Sequence, residues 1–66
     1  MKSYSSRDII KVLEKDGWVE TRCSGDHHIF RHPVKKGKVI VPHPKKDLKT
    51  GTLKSILKQA EISLNQ

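Results

Sequence analysis

Cysteine occurs once in the 66 residues, at Cys23. No disulfide can close within the chain, and a structural metal cage built on several cysteines is excluded, which fits a reducing cytoplasm. Aromatic residues are equally scarce: Tyr4, Trp18 and Phe30 are too few and too scattered to form a stacking platform for single-stranded nucleic acid. Long apolar runs are missing as well. The longest are Val39-Ile40-Val41 and Ile9-Ile10, against about 7–15 residues for a signal-peptide core and about 20 for a membrane span, so a soluble, non-exported protein with no membrane partner is expected. There is no GxxxxGK, no GxGxxG and no serine in a triad-like setting, which sets aside phosphate-loop, dinucleotide and serine-nucleophile chemistry. Length adds a further exclusion. One small domain, residues 1–66, is all the chain allows, and a domain of this size buries only about 60% of the surface its unfolded chain exposes, so an internal cofactor pocket would consume the core. Any chemistry belongs on a surface, and no small-molecule cofactor is expected.

Acidic residues are the last thing in short supply, with 7 Asp and Glu against 14 Lys and Arg, a net charge of +7. Residues 1–34 are nearly balanced. Residues 35–58 carry Lys35, Lys36, Lys38, Lys45, Lys46, Lys49, Lys54 and Lys58 against Asp47 alone. Such a strip points to a polyanionic partner, a nucleic acid or an anionic membrane surface; a solvated lysine surface that only aids solubility is the plainer alternative. Leu, Ile, Val and Phe make up 17 of the 66 residues, above the roughly one-fifth below which a charged chain stays disordered, so a fold with a thin core is expected.

The order of elements follows from local signals. Ser5-Ser6-Arg7-Asp8 has the spacing of a capping box ahead of Ile9, Ile10, Val12 and Leu13, which predicts a helix over 6–16 stopped by Gly17. Trp18 to Cys23 suits a strand, Ser24-Gly25-Asp26 a turn, and His27 to His32 a second strand closed by Pro33. Val34-Lys35-Lys36-Gly37 connects to Lys38-Val39-Ile40-Val41, the clearest strand, which Pro42 and Pro44 end. Leu53, Ile56, Leu57 and Ala60 then share one face of a helix over 50–60, and residues 62–66 are expected to fray. The fold class is α+β in the order α-β-β-β-α: a three-stranded antiparallel meander with two helices on one face.

Four histidines set the chain apart from a plain binding module. On a strand, His27, Ile29 and Arg31 point to one side and His28, Phe30 and His32 to the other. If the helices cover Phe30, an imidazole and a guanidinium share the open face, an arrangement suited to phosphodiester chemistry; the opposite register, with His28 exposed, stays open. A strand histidine is also commonly a half-buried group bonded to a carbonyl. No metal site is expected, because the histidines lack the paired short intervals of zinc modules. Cys23 is expected to face the core as a small hydrophobe.

Taken together, the helix ending in Asp16-Gly17-Trp18, the segments Gly25-Asp26-His27-His28-Ile29-Phe30-Arg31-His32-Pro33 and Gly37-Lys38-Val39-Ile40-Val41-Pro42-His43-Pro44, and Gly51-Thr52-Leu53-Lys54-Ser55-Ile56-Leu57 resemble the HicA toxins of bacterial toxin–antitoxin pairs over nearly the whole chain. The resemblance implies a double-stranded-RNA-binding-domain-like fold, metal-independent cleavage of mRNA that inhibits translation under stress, and restraint by a cognate HicB antitoxin. It places the functional histidine on His27 and the preceding glycine on Gly25. Where the family usually has Ser, this chain has Asp26, whose carboxylate is expected to repel a phosphate. The expected site is therefore His27 as catalytic residue, with His28 as runner-up, and Gly25, Arg31, Lys35, Lys36, Lys38, Lys45, Lys46 and Lys49 as the RNA-binding set. The alternatives are a noncatalytic RNA- or DNA-binding module, which shares the lysines but not the chemistry, and an adaptor whose basic face meets an acidic protein.

Overall fold

The capping box sets the first element. In a computed structural model, which describes residues 4–63, helix α1 runs Ser6–Asp16. The Ser5 hydroxyl accepts from the Asp8 N–H and the Asp8 carboxylate accepts from the Ser5 N–H, both at 3.1 Å. Gly17 ends the helix with φ 106°, and the N–H groups of Gly17 and Trp18 close onto the Glu14 and Leu13 carbonyls. A side chain here would be strained and would also collide, since an added Cβ would lie 2.9 Å from His32 Nε2.

Strands β1 (Val19–Ser24), β2 (His27–Arg31) and β3 (Lys38–Pro42) follow, then helix α2 (Thr50–Ala60), so the α-β-β-β-α order stands. The strands form one antiparallel sheet in the order β1-β2-β3. Opposite Phe30 lies Val39, and opposite His28 lies Val41; these four face the helices. Ile9 and Leu13 of α1, Ile56 and Ala60 of α2, Trp18, Phe30, Val39, Val41 and Leu48 make one core, with Leu53 and Leu57 packed at its edge. His27, Ile29 and Arg31 look out from the uncovered face.

Two local features differ from the sequence expectation. β1 is exposed along its whole length, and its pairing slips between Glu20 and Arg22, so that Glu20 sits opposite Phe30 and Cys23 opposite His28. Residues 20 and 23 would face opposite sides of a regular strand; the bulge at Thr21 turns both toward the helix side. Cys23 consequently departs from its expected core position: it is exposed. Ile62 also departs from the expected fraying. Its N–H caps α2 on Leu57 O at 3.0 Å and its side chain packs against the core, while residues 64–66 lie outside those described.

Candidate nucleic-acid interface

Position on the open face begins with the turn. Gly25 takes φ 60° at the first central position of a two-residue hairpin, where only a residue without Cβ is at ease. An added Cβ would meet nothing within 4 Å, so glycine is needed there for backbone conformation and not for space. The His43 N–H donates to Asp26 O at 2.8 Å, tying this turn to the end of β3. His27 leaves the turn with its side chain 62% exposed, and its Nδ1 lies 3.6 Å from Asp26 Oδ1.

Cationic groups share that face. Arg31 lies four residues along β2, with Lys38 opposite it on β3. The bulge adds Arg22, which pairs with Ile29 and therefore projects beside His27 and Arg31; nothing in the period-two pattern of β1 marked it. Lys36 is exposed in the β2–β3 connection, and Lys45, Lys46 and Lys49 are exposed beyond the other end of β3. The lysines that run together in the sequence thus fall into two groups, one at each end of β3. Lys38 lies across from Arg31 with Lys36 in the connection before it, and Lys45, Lys46 and Lys49 follow the end of β3 that the His27 turn is bonded to. About 14 Å of strand separates the ends of β3.

Lys35 does not join either group. Its ammonium donates to Asp16 Oδ2 at 2.6 Å and to the carbonyls of Ala60 and Glu61 at 3.0 and 3.2 Å, so it fastens the end of α1 to the end of α2. Lys35, expected in the RNA-binding set, is thus engaged within the fold, where its charge compensates a carboxylate and the negative end of a helix. That bond and the Lys35 charge hold the Asp16 carboxyl below the usual carboxylate range, with a smaller contribution from His32.

The other histidines have separate duties. His32 is structural: its Nε2–H donates to Asp16 O at 2.8 Å, its Nδ1 accepts the N–H groups of Val34 and Lys35 at 3.0 Å, and its ring stands edge-on to Trp18. His43 Nδ1 lies 2.5 Å from the hydroxyl of buried Ser6. His28 is half-buried on the helix side, bonded through Nδ1 to Glu20 Oε2 at 3.0 Å and set edge-on to His43. Arg7, Lys11 and Glu14 of α1 face Glu20, His28 and His43 across an open groove of about 370 Å³. The register thus settles the geometric alternative left by the sequence: His27, not His28, occupies the open face of the sheet.

A family model described as HicA toxin of bacterial toxin–antitoxin systems matches residues 6–62. A solved structure titled "HicA3 and HicB3 toxin-antitoxin complex" contains a chain that superposes with TM-score 0.79 at 30% identity, covering 94% of this chain and 100% of that one. No curated protein sequence matches significantly. No helix among the described residues is long and apolar enough to cross a membrane.

Proposed function

The chain belongs to the HicA toxin family of toxin–antitoxin systems, and from that premise we propose that it is an endoribonuclease that cleaves mRNA and so inhibits translation. The observation that carries the reading is the exposed His27 imidazole, set by a bonded turn on the cationic face of the sheet. His27 acts as general base on a ribose 2′-hydroxyl. The freed oxygen attacks the adjacent phosphorus, a 2′,3′-cyclic phosphate forms, and the departing 5′-oxygen takes a proton from solvent. Arg22, Arg31 and Lys38 offset charge on the phosphate along the sheet, and Lys45, Lys46 and Lys49 hold the strand beyond it. The nucleophile comes from the RNA itself, so the step needs neither metal nor cofactor. As the structural neighbour is a HicA3–HicB3 complex, a HicB-type antitoxin is the proposed protein partner, covering the same open face.

The test compares the parent and His27→Ala on an RNA and on the same RNA carrying a 2′-deoxyribose at the cut site. Cleavage by the parent with a cyclic-phosphate end, and none with the variant or the deoxy substrate, is expected. His27→Ala should keep its stability within about 1 kcal/mol, because an exposed strand residue contributes little packing. Cleavage at the parental rate by the variant refutes the role of His27. Binding without cleavage by the parent makes the protein a noncatalytic RNA-binding module.

A further inference from the structure

The bulge in β1 brings a second set of reactive groups together on the face opposite His27. Cys23 Sγ lies 3.6 Å from His28 Nε2, and the other ring nitrogen of His28 is held by Glu20 Oε2 at 3.0 Å. Ligand atoms of these three residues all lie within 4.8 Å of one another. We propose that Cys23 and His28 form a surface zinc site, with Glu20 as the outer partner that orients the imidazole.

Three observations carry the assignment. The first is the bite. Zn–S of about 2.3 Å and Zn–N of about 2.0–2.1 Å at a tetrahedral angle place the two donor atoms about 3.6 Å apart. The Cys23–His28 separation already has that value, so an ion can enter between them with little movement of either strand. The second is the outer partner. Metal-bound imidazoles generally donate the remaining ring N–H to a carboxylate, which fixes the tautomer and turns the free lone pair toward the metal. Glu20 stands in that place, and the other ring nitrogen of His28, Nε2, lies on the Cys23 side. The third is charge: a Cys23 thiolate and the Glu20 carboxylate together match a divalent cation on a chain that is otherwise basic. Thiolate with imidazole favours zinc over magnesium or calcium, which take oxygen ligands.

Coordination forms the Zn–S and Zn–N bonds and releases the thiol proton to solvent. Water fills the two remaining positions, since the site opens outward. The site ties the uncovered strand β1 to β2 one residue from the turn that carries Gly25, and it is separate from the open face proposed to handle RNA.

Co²⁺ is the probe, added to the full chain kept reduced with a phosphine. A near-ultraviolet thiolate-to-cobalt absorption that saturates at one equivalent and disappears on adding Zn²⁺ is expected. Cys23→Ser, a change at an exposed position, should abolish it, His28→Ala should as well, and Glu20→Gln should weaken the affinity about 10- to 100-fold. Zn²⁺ should raise the Tm of the parent and leave that of Cys23→Ser unmoved. Absence of the absorption means that the Cys23 thiol is engaged only in hydrogen bonding, to Gly25 O at 3.4 Å and with His28 Nε2, and saturation at half an equivalent means that the ion bridges two chains. Either result overturns the site, as does loss of the absorption in His27→Ala.

Discussion

Replacing Ser6 by alanine gives a test whose sign is diagnostic. The side chain is 1% exposed, and its oxygen accepts from the Lys45 N–H at 2.9 Å, donates to Lys45 O at 3.2 Å and meets His43 Nδ1 at 2.5 Å. A hydroxyl has one proton, so all three bonds are made when His43 donates from Nδ1 and Ser6 donates to the carbonyl. Alanine strands two donors in a part-buried place. Each costs about 1–3 kcal/mol, and water reaching them from the groove side brings the total toward the lower end, about 2 kcal/mol. Helix propensity works the other way: alanine is the better helix former by roughly 0.5 kcal/mol, so an idle hydroxyl would make the variant more stable. Against a total of about 3–10 kcal/mol for a chain of this length the loss is large, and Tm should drop by about 8–16 °C. Urea titration at pH 7 followed by fluorescence of Trp18, the one tryptophan and buried in the core, reads the difference. An alanine variant as stable as the parent, or more so, refutes the reasoning.

The two lysine groups should separate in binding experiments. Lys45→Glu with Lys46→Glu should weaken RNA binding and flatten its salt dependence, the slope changing by about 0.7 for each phosphate no longer neutralised, whereas Lys35→Met should leave that slope unchanged while lowering stability. Equal slopes for all three proteins would remove the β3–α2 loop from the interface. Asp16 is held below the usual carboxylate value only in the folded chain, so its contribution is present above the unfolded value and is lost as pH falls through the lowered folded one. Urea midpoints of the parent and Asp16→Asn should therefore converge on acidification, and a gap that does not change with pH would exclude the Lys35 pair as its cause. Asp26→Ser should raise cleavage near pH 7 in low salt, with the gain shrinking as salt screens the carboxylate from the phosphate. Superimposed rates at every salt concentration would leave Asp26 a turn residue only.

Local signals mark both helices. The capping box and Gly17 delimit α1, and the apolar stripe from Leu53 to Ala60 delimits α2, because each depends on residues within a few positions. Period two likewise puts Phe30 inside and His27 outside once a covered face is assumed. The bulge is not legible: a strand of Val, Glu, Thr, Arg, Cys and Ser holds no glycine or proline to mark a slip, and its register is decided by the partner strand. Cys23 therefore lies off the core that its small apolar side chain suggests, and Glu20 and Arg22 carry no signal in the sequence. Lys35 reads as one solvated lysine in a run, and only the meeting of two helix ends, 19 residues before it and 25 after it, gives it acceptors. The same holds for His43, whose partner Ser6 belongs to the opposite end of the chain.

The bonds that join the start of α1 to the β3–α2 loop also bear on how the protein is born. Ser6 and Lys45 are 39 residues apart, and the Tyr4 carbonyl waits similarly for the Leu48 N–H. At about 5–20 residues per second, a ribosome takes roughly 2–8 s to supply Lys45 after Ser6 has been joined. Until Phe30, Val39 and Val41 have followed, Ile9 and Leu13 of α1 have no sheet to dock against, and the hydrophobic residues of α2 that complete the core come later still. A chain broken off before this point carries His27 without the scaffold that holds it, so abortive translation yields fragments that cannot assemble the folded domain.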